Sequence, residues 1–325
     1  MAFDNWAVFK LYLGMRPLIF ISLVTFGIQL PSYLFASINI IGYDPLANDR
    51  FMNDASFFAG GLDLSGVALV NTGQGPDFSG DDGGRWVTML SRNVFITANH
   101  FAPGVGSSVT FHQTNSALGA SFSASVEETM RIGSTDIRVG TLDVALPDGY
   151  AYYDIWNAPF SSAAPVQISG PNVLTFGRSE GDYAVNQDVA VGQNNLNLFF
   201  PSQTVGGATG DAGAMTFDDP GLTYESQFGL GDSGAPAMVV VGGNLTMVGV
   251  NWFVGSINNG ATEISGFTYL PNYQSEIQTY IDENPEVNIV PEPSVSAFFL
   301  GLSALGLVFQ RRRTPNIANR ARGTD

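Results

Sequence analysis

Val94-Phe95-Ile96-Thr97-Ala98-Asn99-His100 is a short run, rich in β-branched and aromatic residues, that closes on two polar ones. This is the pattern of a buried strand whose end reaches a sheet edge. Similar runs recur around it: Trp86 to Leu90, Asn93 to Thr97, Ser108 to Phe111, Val173 to Phe176, Ala237 to Val241 and Thr246 to Trp252. Gly80-Asp81-Asp82-Gly83-Gly84, Val241-Gly242-Gly243-Asn244 and Asn258-Asn259-Gly260 separate them with residues that favour turns. Many short strands punctuated in this way, from about Phe57 to Asn272, point to an all-β barrel or sandwich. One helix is expected in this body, over Tyr273 to Ile281, with Tyr273, Ile277, Tyr280 and Ile281 on one face. The chain has no internal repeat at solenoid or propeller periods.

Composition agrees with this reading and narrows the function. The chain has 325 residues, 38 of them Gly and 17 Pro, with only 13% charged residues but 45% apolar ones. That excludes a coiled coil and leaves enough apolar material for a large core. From Ser37 to Val290 there are 26 acidic and 6 basic side chains, 6 − 26 = −20. Such a field repels phosphate backbones, so nucleic acid is not an expected partner. With no Cys there is no disulfide or thiolate site, and with two His no metal or cofactor is called for. Asp77, Asp81 and Asp82 could offer oxygen ligands to Ca²⁺, but a polar turn explains them as well.

The two ends differ from the body. Lys10 and Arg16 precede an apolar run, Pro17 to Ala36, that ends in small residues, so 1–37 reads as an export signal, with an uncleaved anchor as the alternative. A segment 38–56 leads into the body, 57–282, and an acidic linker, 283–292, follows. In the tail, 293–325, the apolar stretch Ser294 to Phe309 would reach about 24 Å as a helix, short of the ~30 Å hydrocarbon core. Arg311-Arg312-Arg313 follows it.

Chemistry concentrates in Gly231-Asp232-Ser233-Gly234-Ala235-Pro236, where glycines on both sides of a serine permit a tight turn and close approach of a carbonyl to backbone amides. A polar hairpin turn is the plain alternative. Only His100 or His112 could serve such a serine as general base, and His112, inside an alternating strand, reads as a strand-surface side chain. Together with Thr97-Ala98-Asn99-His100, the serine loop resembles the chymotrypsin-like (trypsin-like) serine proteases, whose triad runs His, Asp, Ser along the chain. The resemblance covers about Phe57 to Asp282. It implies two six-stranded antiparallel β-barrels and a short C-terminal helix, to which the apolar segments of the two termini would add hydrophobic targeting helices. It also implies a serine endopeptidase acting on protein or peptide substrates, without cofactor or metal.

His100, Asp136 and Ser233 would form the triad, and the amides of Gly231 and Ser233 the oxyanion hole, worth roughly 3 to 4 kcal/mol per donor. Asp143, in Leu142-Asp143-Val144-Ala145-Leu146, and Asp154 compete with Asp136; Asp136 is favoured because Pro147 truncates the strand after Asp143. Gln227, Phe228, Asn251, Trp252, Phe253 and Gly266 are the expected substrate-binding residues. Gln227 stands where a trypsin-like enzyme has an Asp, which argues against cleavage after Lys or Arg and for a small or medium apolar side chain there. Phe101 replaces the family's cysteine after the histidine, so packing must hold that loop. Ile40-Ile41-Gly42 is a conceivable activating terminus for Asp232.

Val290-Pro291-Glu292-Pro293, the apolar stretch and the Arg cluster resemble the PEP-CTERM sorting tail of Gram-negative bacteria. That resemblance implies export machinery and an exosortase-type sorting enzyme as partners, membrane contact through the terminal hydrophobic segments before processing, and a final place at the cell surface or outside the cell. The competing class is a catalytically inactive protease-like surface or extracellular-matrix protein. Glycoside hydrolysis by two body carboxylates has only their abundance behind it.

Overall fold

The computed structural model describes residues 37–70, 84–179, 189–218 and 221–286. The export segment up to residue 36, the sorting tail, and Asp77, Asp81 and Asp82 lie outside the described residues. Apart from Glu286, everything described belongs to one compact unit that ends at Pro285.

The chain enters through β1 (Asn39–Ile40) and a single helical turn, α1 (Pro45–Asn48). Asp44 caps that turn by accepting the Leu46 amide at 3.0 Å. Six strands follow: β2 (Val67–Val70), β3 (Trp86–Met89), β4 (Val94–Ala98), β5 (Ser108–His112), β6 (Ser121–Arg131) and β7 (Ile137–Leu142). They close into an antiparallel barrel in the order β2-β3-β4-β7-β6-β5. The expected strands at 86–90, 93–97 and 108–111 are present to within a residue. Every residue of β4 is buried, because both of its faces are covered. Val94, Ile96 and Ala98 face a large cluster with Phe176, Ala235, Met238 and Val250, while Phe95 fills the barrel with Val109, Phe111 and Leu142. The period of two thus divides one strand between the barrel core and the seam with the rest of the fold.

The remaining strands are β8 (Val166–Gln167), β9 (Asn172–Gly177), β10 (Ala190–Asn195), β11 (Leu198–Val205), β12 (Ala208–Phe217), β13 (Ser226–Gln227), β14 (Pro236–Val241), β15 (Asn244–Ile257) and β16 (Thr262–Tyr269). Strand β13 pairs with β1, and the other eight form one sheet in the order β10-β9-β14-β15-β16-β12-β11-β8. This is an eight-stranded sheet rather than the expected second six-stranded barrel. Pro171 carries no amide donor and interrupts the ladder between β8 and β9, and Leu196–Asn197 interrupts it between β10 and β11. The Gly170 amide to Leu196 O at 2.9 Å and the Ile168 amide to Asn197 O at 2.9 Å carry the pairing past the break.

The expected helix is α2 (Gln274–Glu283), delayed by a 3₁₀ turn over Leu270–Tyr273 that contains Pro271. It buries Ile277 and Tyr280 against the cluster at the seam, and the Tyr280 hydroxyl donates to Glu128 Oε1 at 3.0 Å. Among the described residues no helix is long and apolar enough to cross a membrane.

Candidate active site

Strand β4 stops at Ala98, opposite Ile137 at the start of β7, and the chain turns through a 3₁₀ turn, Asn99–Phe101. This register sets Asp136, the residue before β7, beside the turn. The Asn99 amide donates to Asp136 O at 2.8 Å and the His100 amide to Asp136 Oδ1 at 2.9 Å. The other carboxylate oxygen, Oδ2, lies 2.6 Å from His100 Nδ1. Asp136 has no solvent exposure, whereas the His100 side chain keeps 39% of its own. The competing acids are used elsewhere: the Asp143 carboxylate accepts the Ser125 amide at 2.7 Å, and Asp154 is exposed, its backbone carbonyl accepting the Met247 amide at 2.8 Å.

Two contacts that sequence reading missed hold this turn. Arg138 donates to Asn99 Oδ1 through Nε at 3.1 Å and Nη2 at 2.9 Å, with Nη1 on Thr129 Oγ1 at 2.8 Å. Its position two residues after Asp136, on the face of β7 turned towards Asn99, was the available signal. Arg85 lies over the Phe101 ring, 5.3 Å from its centroid, and donates to Ala102 O at 2.6 Å. A cation over an aromatic face thus secures the loop next to a position where a disulfide was expected to be missing.

Ser233 arrives from the other half of the molecule, on the loop between β13 and β14. Gly231 and Gly234 have φ of +93° and +88°, values that an L side chain rarely tolerates. At Gly234 space matters too: a Cβ there would stand 2.6 Å from Thr97 Oγ1 and 3.3 Å from the Ala98 amide. Only a glycine lets the loop sit this close to the end of β4. The approach leaves Ser233 Oγ 2.9 Å from His100 Nε2. Trp86, from β3, steadies the loop by donating Nε1 to Gly231 O at 3.4 Å.

Behind the serine, Asp232 is fully buried. It accepts the Arg178 amide on Oδ1 at 2.8 Å and the Gly229 amide on Oδ2 at 2.7 Å. Burial pushes its pKa up to about 7, opposed by those two amides and by the charge of Arg178. A Cβ at Gly177 would lie 2.6 Å from both Asp232 Oδ2 and Ile38 Cβ, so Ile38 and this carboxylate both pack against Gly177. Ile40, considered as an activating terminus, lies inside β1, paired with Ser226. A free amine there would require losing the start of that strand.

The amides of Gly231 and Ser233 meet no acceptor among the described residues, whereas those of Asp232, Gly234 and Ala235 donate to Gly229 O, Asn251 O and Asp232 O. Next to the Ser233 hydroxyl opens a cavity of about 160 Å³ lined by His100, Phe228, Gly229, Leu230, Ser233, Asn251, Trp252, Phe253 and Val254. Of the six expected substrate-binding residues, four line it. Gln227 does not: it pairs with Asn39 of β1, and the alternation of β13 turns the buried Phe228 inward instead. Gly266 does not either, because the Phe253 ring covers it.

His112 is part of the barrel framework. Its ring packs edge-on to Phe51 at 4.9 Å, and its carbonyl accepts Arg50 Nη2 at 2.7 Å. Burial, then the charge of Arg50, lowers its pKa to about 4. Among the described residues no group of three or more His, Asp or Glu could hold a metal ion.

An ionised Asp136 can only accept, so the proton between it and His100 belongs on Nδ1, and Nε2 is left as the acceptor for the serine hydroxyl. That chain of contacts can draw a proton from Ser233 as its oxygen attacks an electrophile. No protein-family model matches the chain, and no curated protein is significantly similar to it.

Proposed function

We propose that this chain is an exported serine endopeptidase of the chymotrypsin-like kind, its two halves corresponding to that family's two β-barrels. One observation carries the reading: Ser233 Oγ, His100 Nε2, His100 Nδ1 and Asp136 Oδ2 stand in one line of contacts of 2.9 Å and 2.6 Å. In the reaction, Ser233 Oγ bonds to the carbonyl carbon of the scissile peptide while His100 Nε2 takes the hydroxyl proton. The resulting oxyanion lies between the amides of Gly231 and Ser233. As the C–N bond breaks, His100 returns the proton to the leaving nitrogen and an acyl-enzyme remains. Water then attacks that ester with the same base, releasing the acid and restoring Ser233. Asp136 holds the Nδ1–H tautomer and compensates the imidazolium.

The terminal segments supply the addresses in this proposal. An export signal over 1–37 and a PEP-CTERM-type tail over 293–325 would hand the body to export machinery and an exosortase-type enzyme, leaving it at the cell surface or outside a Gram-negative cell. The residue patterns at Lys10 to Ser37 and at Val290 to Arg313 support this. Fluorophosphonate labelling of the full chain beside Ser233→Ala, His100→Ala and Asp136→Asn tests the chemistry. Labelling at Ser233 alone, lost in the first two variants, is the expected result. A folded wild-type protein that never labels would instead favour an inactive surface or matrix protein.

A further inference from the structure

The cavity beside Ser233 has an unusual floor. Strand β15 carries a bulge at Trp252: Asn251 pairs with Phe267 of β16, but Phe253 pairs with Gly266, so one extra residue is taken up between them. The Phe253 ring lies over Gly266 so closely that a Cβ there would meet Cζ at 2.2 Å and Cε1 and Cε2 at 2.5 and 2.6 Å. Trp252 packs against it edge to face, with centroids 5.4 Å apart. The floor is fixed on the other side as well, because the Phe228 amide donates to the buried Ser265 Oγ at 2.9 Å.

We propose that Phe253 sets the substrate class of the serine hydrolase described above. By closing the space over Gly266, it restricts the residue on the acyl side of the cleaved bond to a small aliphatic one, alanine or valine. The inference rests on the proposed hydrolase function and adds its specificity. Volume decides the size. A cavity of about 150 Å³ takes one benzene. The present cavity is about 160 Å³, but His100 and Ser233 are in its lining, so it must also hold the substrate's carbonyl and backbone. Less than a phenyl ring is left for the side chain. Lining chemistry decides the polarity. Phe228, Leu230, Trp252, Phe253 and Val254 surround the space, and His100 is its only titratable member. A lysine, arginine or carboxylate side chain would lose water there with no opposite charge in the lining to pair with.

The test uses the full chain and a series of peptidyl diphenyl phosphonates that differ only in the residue next to phosphorus: Ala, Val, Leu, Phe and Lys. Rates of covalent labelling at Ser233 are read by intact mass. Wild type should react at least about 10-fold faster with the Ala or Val probe than with Phe or Lys, within the range that hydrophobic pockets discriminate. In Phe253→Ala the ratio of the Phe-probe rate to the Ala-probe rate should rise about 10-fold or more. Should that variant not fold, Phe253→Leu reads the same shift in smaller measure. Wild type that prefers Phe or Lys, or a preference unmoved by either variant, overturns the specificity assignment while the hydrolase reading stands. Absence of any fluorophosphonate labelling at Ser233 overturns both.

Discussion

The barrel and the eight-stranded sheet hold their shares of the candidate site in different ways. The barrel presents His100 and Asp136 by strand register. Ala98 pairs with Ile137, and the residues just beyond that pair fall side by side, with the Asn99 and His100 amides both bonded to Asp136. The sheet presents Ser233 on a loop outside any strand ladder, shaped by two glycines at positive φ and anchored by the buried carboxylate of Asp232. A ladder resists displacement because several backbone hydrogen bonds must fail together. A loop around one buried charge depends on that group and on the space left for it. Substitutions that touch the barrel's pair should therefore alter chemistry and spare geometry, whereas those in the serine loop should disturb both.

Ser233→Ala or His100→Ala should show the largest effect, a loss of roughly 10⁶ in kcat with thermal unfolding little changed, measured on a peptide substrate. Asp136→Asn should come next, at about 10⁴, because an amide cannot compensate the imidazolium and presents a donor where two hydrogen bonds are now accepted. Asp143→Asn in the same barrel should stay within about twofold, and an equal loss there would upset the assignment of roles. Gly234→Ala breaks the loop instead. A methyl 2.6 Å from Thr97 Oγ1, at φ +88°, should cost about 1 to 2 kcal/mol in urea unfolding and about 100-fold in kcat/KM through displacement of Ser233.

The smallest effect separates the two halves by pH. His112, in the barrel, has its folded pKa lowered to about 4 from an ordinary 6.5. The unfolded chain binds that proton first, so the stability due to His112 is whole above pH 6.5 and drains away as pH falls towards 4. Asp232, on the serine loop, is the reverse, raised to about 7 from an ordinary 3.8. The folded chain holds that proton longer, so its contribution is greatest below pH 3.8 and is lost as pH rises to 7. The two slopes oppose each other between pH 4 and 6.5. His112→Gln should leave the Asp232 slope uncovered, and urea midpoints should then fall steadily as pH rises from 4 to 7. A profile identical to wild type would remove the contrast between the halves.

The strands were legible because both faces of β4 are covered and its residues form one apolar run, and because Gly, Asn and Asp clusters mark the turns. The break in the second half was harder to read, since Pro171 and the Leu196–Asn197 pair interrupt ladders whose partners lie far along the chain. The position of Asp136 beside His100 followed from favouring one of three similar segments, and strand register separates them. The cavity was read less well. Counting back from Ser233 led to Gln227, but the pairing of β13 with β1 gives the inward face to Phe228. Trp86 and Arg178 left no local pattern, because each acts on a residue at least 54 positions away.

From the chain of letters alone came the residue types: one imidazole at a strand end, a serine between glycines, carboxylates in several candidate segments, and a strongly acidic body. Which carboxylate faces the imidazole, how near the serine comes and which ring floors the cavity were decided only by folding. Local preferences specify strand and turn, but a separation of 36 or 133 residues carries no distance. Strand register and close packing at Gly234 convert those separations into contacts of 2.6 and 2.9 Å.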